Sequence, residues 1–284
     1  MDPQIATIIP TRADSDCLIE RALESVLLQT LKASLVVIVG DCAGGAEFTK
    51  SVLQPYLKSS ICVYLPNSRQ PGYSGVVNTG LAHFAAKGFS GFVALLDDDD
   101  TWDPTHLEAN WRAAQGTGAD VVVSGLRMIR SGKIQPRDLP IDLNQSDFLV
   151  GNPGWQGSNT FVRLSAMLRV GGFREGMISC NDRDLAIRLL DDPSVSIAYT
   201  GEWTANWHFN DSGASLSAQG SSSKRFGLAA FWRLYGSRMS ALERTGFFRR
   251  AKAYFGFDEH EIVEQAGSVE TMHLMEEKEV TIGN

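Results

Sequence analysis

The chain has 284 residues, of which 43% are hydrophobic, so it is long enough to bury a sizeable core and is not a disordered protein. Its 26 basic and 33 acidic residues give a formal net charge of −7, which excludes the broad positive surface of a typical nucleic-acid-binding protein. We therefore expect a globular protein without a nucleic-acid partner.

The cysteines and the apolar segments indicate the compartment. The cysteines are scattered, with neither a Cys-x-x-Cys pair nor a histidine at ligand spacing; they are Cys17, Cys42, Cys62 and Cys180. We interpret them as buried thiols in a reducing compartment. The first ten residues do not resemble a signal peptide, and the apolar runs are too short to cross a bilayer. We expect a soluble, cytoplasmic protein that could still be peripheral at a membrane.

Short β-branched runs alternate with helical patterns in the first half of the chain. The predicted strands are Ile5–Ile9, Leu35–Val39, Ile61–Leu65, Phe92–Leu96 and Val121–Met128. Apolar residues from Leu18 to Leu27 repeat at three- and four-residue steps after Asp14 and Ser15, which can cap a helix. This order predicts an α/β fold with a Rossmann-like, mainly parallel sheet flanked by helices.

Polar residues follow the predicted strands directly. Pro10, Thr11 and Arg12 follow the first strand, Asp41 follows the second, and four aspartates follow the fourth. Ligands of such sheets bind beyond the carboxyl ends of the strands. The sequence therefore predicts a ligand site at this edge.

The acidic run Asp97–Asp100 is the strongest chemical signal in the chain. Neighbouring carboxylates raise one another's pKa values unless a cation neutralises them. Oxygen ligands favour Mg²⁺ or Mn²⁺, which proteins commonly share with substrate phosphates. The alternative is a solvated acidic turn, but Trp102 and Pro104 favour a fixed turn into the next helix.

The second half of the chain is less regular. It contains a glycine-rich stretch at Gly151–Gly157, a short predicted strand at Thr160–Val162 and a predicted helix at Asp182–Leu190. Lys224–Lys252 carries eight basic residues interleaved with aromatic ones. We expect this segment to form helices that cover an acceptor site or touch an acidic membrane; ordinary packing on the domain is the alternative.

The segment Leu96–Pro104 resembles the Asp-x-Asp region of the family 2 glycosyltransferases, which have the GT-A fold. Further segments resemble this family in the same order; they are Ile8–Thr11, Ser25–Thr30, Val39–Asp41, Asn78–Leu81, Gly171–Phe173 and Asn181–Arg188. The resemblance extends from about Ile5 to about Ser217. It implies a GT-A domain over 1–220, with a nucleotide-sugar-binding half (1–128) and a smaller acceptor-binding half (129–220). Residues 221–284 form a helical extension with an acidic tail.

The resemblance implies metal-dependent, inverting transfer of a sugar from a nucleoside diphosphate sugar to a hydroxyl. UDP is favoured over GDP and dTDP, and the acceptor is a sugar, a lipid or a polypeptide. Homo-oligomerisation is left open. A nucleotidyltransferase of similar fold and a non-catalytic nucleotide-sugar-binding module are the alternatives. The former usually has a basic glycine-rich loop after its first strand, which is absent here.

On the nucleotide side, the family pattern implies that Thr11 and Asp41 contact the base, and a carboxylate can accept the imide N–H of uracil. A strand-end turn is the alternative for Asp41. The neighbouring Pro10 and Arg12 and the more distant Asn78 are also assigned to donor binding. Arg12 and Arg69 are possible phosphate contacts.

Around the metal, the resemblance implies that Asp97 and Asp98 serve the ribose and the ion, and that Asp99 ligates Mn²⁺ or Mg²⁺. His208 matches a position near the metal or the diphosphate, although a structural role between two aromatic residues is the alternative. Asp182 matches the general base, for which helix capping is the alternative.

Three positions depart from the family pattern. Gly40 stands where many members have an aspartate, and Val77 stands where an arginine is common. Asn181 replaces the usual glutamate before the base, which suggests a different acceptor contact or a less basic Asp182.

Overall fold

The computed structural model describes residues 3–12, 17–41, 46–58, 60–209 and 218–268. In these ranges nine strands form one sheet. They are β1 (Ile5–Thr11), β2 (Leu35–Gly40), β3 (Cys62–Pro66), β4 (Phe92–Leu95), β5 (Thr101–Trp102), β6 (Val121–Arg130), β7 (Lys133–Pro136), β8 (Thr160–Arg163) and β9 (Ile197–Phe209).

The strand order is β3-β2-β1-β4-β8-β6-β9-β5, and β7 pairs with β6. Strands β1, β2, β3, β4, β6 and β9 run in one direction, whereas β8, β5 and β7 run against it. The predicted mainly parallel α/β fold is therefore confirmed, with β8 as an antiparallel strand between β4 and β6.

The described helices flank this sheet. They are α1 (Glu24–Leu27), α2 (Ala46–Leu57), α3 (Tyr73–Ala86), α4 (His106–Thr117), α5 (Gln145–Val150), α6 (Leu164–Arg169), α7 (Asn181–Asp191), α8 (Ser222–Tyr235), α9 (Ala241–Phe255) and α10 (Glu259–Ala266). The predicted helix at 18–27 is a π-helix (Leu18–Leu23) that continues into α1. Its expected caps, Asp14 and Ser15, lie outside the described residues.

The central strands are apolar because both faces of the sheet are covered. Every residue of β1 is buried, and successive side chains point to opposite faces. Ile8 belongs to the core cluster that contains α3 and α7 residues, whereas Ile9 belongs to the cluster under the π-helix and α4. Two cores therefore fix the sheet and the edge at which its parallel strands end.

Strand β9 was not predicted from the sequence. Its thirteen residues include a glycine, a glutamate and an asparagine, and most of its side chains are only partly buried. It pairs with β6 through a register that shifts near Gly125. The physical reason for its formation is this long-range pairing, which brings His208 to the site edge.

The helices α8, α9 and α10 pack on the domain. Phe231 and Phe247 are buried in the same core cluster as strand residues, and the guanidinium of Arg183 lies 3.8 Å above the Phe231 ring. This packing on the domain is the alternative that was given for the segment Lys224–Lys252. Because the two rings are buried, they are not available to contact a membrane. Among the described residues, no helix is long and apolar enough to span a bilayer.

The cysteines agree in part with the expectation of buried thiols. Cys62 and Cys180 are buried and free. Cys17 is a thiol that is only half-buried, because it lies at the start of the π-helix, so the expectation of burial is wrong for this residue. Cys42 lies outside the described residues.

Candidate active site

The ends of β1, β2 and β4 meet at one edge of the sheet. Thr11 lies opposite Gly40 in the parallel pair of β1 and β2, and the backbone N–H of Asp41 donates to the Thr11 carbonyl at 3.0 Å. On the other side, the N–H of Leu96 donates to the Ile8 carbonyl at 3.1 Å. The predicted edge therefore brings the first-strand residues, Asp41 and the acidic run together.

Thr11 contacts the acidic run through its hydroxyl group. Its hydroxyl lies 2.6 Å from Asp98 Oδ2 and 2.7 Å from the Arg12 carbonyl, and the residue is only 4% exposed. The neighbouring Pro10 is also buried in β1. Thr11 was expected to contact the base and Pro10 to take part in donor binding, but both side chains are covered, so neither contact is supported. The Thr11 hydroxyl instead contacts Asp98.

Asp41 is held in a preformed loop. Its carboxylate accepts from Asn67 Nδ2 and from the Gly72 backbone N–H, both at 2.8 Å. The side chain is half-buried, and each carboxylate oxygen has a further lone pair that can accept from a ligand. A Cβ at Gly40 would collide with the Tyr64 hydroxyl. The family's aspartate at position 40 would therefore require the Tyr64 side chain to move.

The four aspartates differ in their surroundings. Asp100 is 1% exposed, accepts from Ser158 Oγ at 2.6 Å and accepts from the His208 backbone N–H at 3.0 Å. Burial and Asp99 raise the pKa of Asp100 to about 8, although these two hydrogen bonds oppose the shift. Asp100 thus ties the acidic run to the segment before β8 and to β9.

Asp97 and Asp99 are the two carboxylates of the acidic run that are candidates to hold a cation. Burial, followed by the charges of Asp100 and Asp99, raises the pKa of Asp97 well above its usual range. Burial and Asp98 raise the pKa of Asp99. The Oδ1 atom of Asp97 is buried and has no hydrogen-bond partner among the described residues. Asp98 and Asp100 each lie within hydrogen-bond distance of a side-chain hydroxyl, whereas the contacts described above include none for the carboxylates of Asp97 and Asp99.

Two arginines lie beside this run. Arg21 Nη1 donates to the Asp99 carbonyl at 3.2 Å, and the charges of Arg21 and Arg12 lower the pKa of Asp99 against the effect of burial. Arg12 is exposed and can therefore meet a diphosphate. Arg69 is instead ion-paired with Glu175, with 2.5 Å between Nε and Oε1.

The predicted metal set of Asp97, Asp99 and His208 is not assembled as such. Within the described ranges, no three histidine, cysteine or acidic side chains are grouped as a metal site. His208 Nε2 lies 3.0 Å from Thr101 Oγ1, and burial and Arg21 lower the pKa of His208. The acidic run nevertheless fits a cation that one or two carboxylates share with a diphosphate, because Asp97 Oδ1 lacks a protein partner.

Asp182 approaches the acidic run from helix α7. It lies in the first turn of α7, where the N-cap residue is Cys180 in the left-handed conformation (φ 68°). Capping therefore does not explain Asp182. Burial raises its pKa to about 7, opposed by the charge of Lys224 and by the Gly157 backbone N–H that donates to its carboxylate. The structure thus places a carboxylate with a near-neutral pKa close to the acidic run.

Asn181 is a structural link. It is 8% exposed, and its Nδ2 donates to Ser74 Oγ at 2.7 Å and to the Met177 carbonyl at 2.9 Å. The suggested acceptor contact is therefore wrong, because the amide is buried between α3 and α7. The suggested lower basicity of Asp182, relative to a protein with glutamate at position 181, stays a prediction; burial is the largest cause of the raised pKa of Asp182.

Asn78 does not face the donor. It is 2% exposed, and its side chain pairs with both the N–H and the carbonyl of Phe173, at 2.9 and 2.8 Å, and with Glu175 Oε1 at 2.9 Å. The expected donor contact is not supported, because these partners occupy the amide. The preceding Val77 is fully buried in the core. The Asn78 motif fixes the segment that follows Gly172.

Sequence reasoning missed several residues of the site. Tyr73, Gly157 and Ser158 surround Asp97, and Lys224 of α8 lies near Asp182. Lys224 is 9% exposed, with Nζ 3.2 Å from Ser179 Oγ and 4.4 Å from the centre of the Phe255 ring. The glycine-rich stretch was the only local feature of the sequence that pointed to position 157. The lysine was interpreted only as one of the basic residues of its segment.

Comparison with known proteins agrees with this geometry. The sequence model of the family described as "Glycosyl transferase family 2" matches residues 7–171. The succinoglycan biosynthesis protein ExoO of Rhizobium meliloti (strain 1021) is 30% identical over 129 residues, which are 45% of this chain and 34% of that protein. ExoW of the same organism, also named for succinoglycan biosynthesis, is 33% identical over 106 residues, 37% and 32% respectively. The matches span about a third of each relative.

Solved structures share the fold. S. aureus TarS 1-349 in complex with UDP-GlcNAc superposes with a TM-score of 0.65 at 14% identity, covering 96% of this chain and 78% of that chain. The same protein in complex with UDP gives 0.62 at 15% identity, covering 95% and 77%. The likeness confirms the expected GT-A architecture.

Proposed function

The chain belongs to glycosyl transferase family 2, and we propose that this glycosyltransferase moves a sugar from a nucleoside diphosphate sugar to a hydroxyl acceptor with inversion. The observation that carries the mechanism is the position of Asp182, a half-buried residue whose carboxylate lies near the acidic run and has a pKa of about 7. The family match favours this function over the nucleotidyltransferase alternative.

In this proposal Asp182 is the general base. The acceptor oxygen bonds to the anomeric carbon from one side as the bond to the diphosphate breaks on the other, so the configuration inverts. The acceptor proton passes to Asp182, and the nucleoside diphosphate leaves with the bonding electron pair. A base is most effective when its pKa is near the working pH, and such assistance is worth about 10² to 10⁴ in rate.

We propose UDP as the nucleotide of the donor, ahead of GDP and dTDP. Asp41 lies at the end of β2 with carboxylate lone pairs that can accept the imide N–H of uracil. Asp98, oriented by Thr11, is assigned to the ribose. The complexes of TarS with UDP-GlcNAc and UDP support this choice for a chain of the same fold.

A divalent cation, Mn²⁺ or Mg²⁺, would be held by Asp99 with Asp97, and His208 is proposed at most as a neighbour. Bound there, the cation neutralises charge on the leaving diphosphate. The chain's own contribution is to hold two carboxylates whose charged forms are disfavoured without a cation, because burial and like charges raise both pKa values. Arg12, exposed beside them, adds a positive charge toward the phosphates.

The acceptor is proposed to be a sugar, lipid or polypeptide hydroxyl. The names of ExoO and ExoW, which refer to succinoglycan biosynthesis, make saccharides the first acceptors to test. A cytoplasmic location, peripheral membrane contact through 224–252 and homo-oligomerisation remain predictions.

The function is tested by thermal stabilisation with UDP, GDP and dTDP, each with and without Mn²⁺, followed by hydrolysis of the matching nucleotide sugars. A ligand that binds the native state raises the melting temperature. Metal-dependent stabilisation by UDP with slow hydrolysis of a UDP-sugar supports the proposal. Binding without turnover of any donor would favour the non-catalytic module.

A further inference from the structure

Tyr73 begins α3 and is fixed by the motif that contains Asn78. Its ring meets the Phe173 ring edge-on, with 5.3 Å between centroids and 82° between planes. Phe173 is in turn held by Asn78 through both its backbone N–H and its carbonyl. The direction of the Tyr73 hydroxyl is therefore set by packing, and it points toward the acidic run.

Two complementary polar atoms lie side by side at this point. The Tyr73 hydroxyl and Asp97 Oδ1 are both buried, and neither makes a hydrogen bond of full geometry among the described residues. A looser contact with Asp97 nevertheless contributes to the raised pKa of Tyr73. A Cβ at Gly157 would collide with the Tyr73 hydroxyl and would lie 3.1 Å from Asp97 Oδ1. Both atoms therefore converge on the space that position 157 leaves open because it is a glycine.

Leaving a buried donor and a buried acceptor unpaired is unfavourable, because each group has lost its hydrogen bonds to water without gaining a replacement. The hydroxyl is a donor at any physiological pH, because burial and the charges of Asp97 and Asp182 raise the pKa of Tyr73 well above its usual value. Hydrogen bonds of active sites are often long in the free enzyme and tighten when substrate binds. A small closure would pair these two atoms.

We propose that Tyr73 is a positioning residue that acts through Asp97: its hydroxyl donates to Asp97 Oδ1 when the donor nucleotide binds and so fixes the orientation of that carboxylate. The other oxygen of Asp97 is then directed at the ligand. This inference rests on the proposed binding of UDP and a divalent cation at the acidic run, and it assigns a role to a residue outside the Asp-x-Asp segment.

The test is a double-mutant cycle of Tyr73→Phe and Asp97→Ala, read out as the dissociation constant of UDP with Mn²⁺. Alanine is used at position 97 because asparagine would keep an oxygen that can accept from the hydroxyl. Tyr73→Phe keeps the ring on Phe173 and removes only the hydroxyl, so no effect on binding is expected if the ring has a packing role alone. We expect Tyr73→Phe to weaken binding about 10-fold in the parent and less than 2-fold in the Asp97→Ala background. Tyr254→Phe, at an exposed tyrosine, is the matched control and should bind like the parent.

Equal effects of Tyr73→Phe in both backgrounds would overturn the proposal, and so would an effect that disappears with Asp182→Asn instead. If the parent binds no UDP with Mn²⁺, the proposed function fails and this inference, which rests on it, fails with it. If the parent binds UDP with Mn²⁺ and Tyr73→Phe binds it equally well, the proposed function stands and the inference alone is rejected.

Discussion

Asp182 and Asp184 lie on the first turn of α7, two positions apart, yet they face opposite environments. Asp184 is fully buried, and its oxygens lie 3.1 Å from Arg174 Nε and 2.6 Å from Arg188 Nη2. The Tyr235 hydroxyl donates to it at 2.8 Å. Asp182 instead faces the acidic run and has a raised pKa. The Asp184 carboxylate is thus neutralised by arginines within the fold, whereas the Asp182 carboxylate is the one proposed to accept a proton.

We predict that Asp182→Asn lowers the turnover of sugar transfer by about 10² or more and leaves donor affinity within a few-fold. The amide keeps the shape of the side chain but cannot accept the acceptor proton, so the loss falls on the transition state. The measurement is steady-state transfer with saturating donor, together with UDP binding. Comparable turnover of the variant and the parent would show that another group is the base.

We predict that Asp184→Asn lowers the free energy of unfolding by about 3 kcal/mol or more, because it leaves two arginines without their buried partner. Urea denaturation measures this effect. The matched control is Asp191→Asn on the same helix, whose pair with Arg238 is largely exposed and should cost less than about 1 kcal/mol. Similar losses in the two variants would contradict the distinction.

We predict that Asp99→Ala abolishes the Mn²⁺ dependence of UDP binding and leaves the fold intact. Asp99 is accessible to solvent, although the protein groups around its carboxylate raise its pKa, so its removal costs the core little and relieves repulsion within the acidic run. Titration calorimetry with and without Mn²⁺ checks this. Asp103→Ala is the control, because Asp103 lies in the same segment but pairs with Arg127, with 2.7 Å between the charged atoms. This variant is expected to bind UDP like the parent. Unchanged metal dependence in Asp99→Ala would remove Asp99 from the metal site.

The parts of the fold that were predicted correctly are those whose pattern is local. The buried runs of β1, β2 and β4 consist mostly of apolar residues, so burial on both faces is visible in the sequence. Strand β9 could not be predicted this way, because its polar residues take up strand geometry only when β6 pairs with them. Helix α7 was predicted to within a residue at each end.

For the site, sequence reasoning found charged groups but not their partners. Strand ends and the acidic run were visible, because like charges in succession require an explanation. The engagement of Asn78 by Phe173, 95 residues away, was not visible, and a buried amide was therefore taken for a donor contact. The approach of Tyr73 to Asp97 likewise depends on the missing side chain of Gly157.

We predict that truncation after Ser223 unfolds the protein. It removes Phe231 and Phe247, which are 0% and 1% exposed in the core cluster that also contains strand residues. Loss of one such ring typically costs about 3–5 kcal/mol, so loss of several exceeds the stability of an ordinary domain. Circular dichroism on heating should show no cooperative transition. A folded truncated protein would show that α8 to α10 are dispensable for the core.

We predict that turnover rises with pH through about 7 and then levels, because the transfer needs the charged form of Asp182. The positive charge of Lys224 favours this carboxylate and lowers its pKa. Removal of the charge in Lys224→Met should therefore raise the pKa of Asp182 and move the acidic limb of the profile to higher pH. The measurement is kcat against pH with saturating donor.

Lys252→Met is the matched control for this shift. Lys252 belongs to the same extension, but its side chain is 60% exposed and its charge is screened by solvent, so the profile should match that of the parent. Lys224→Arg restores a positive charge and should return the limb toward its original position. If Lys224→Met is folded by circular dichroism and has the same pH profile as the parent, the prediction is contradicted. The ammonium group would then serve only the packing against Ser179 and Phe255.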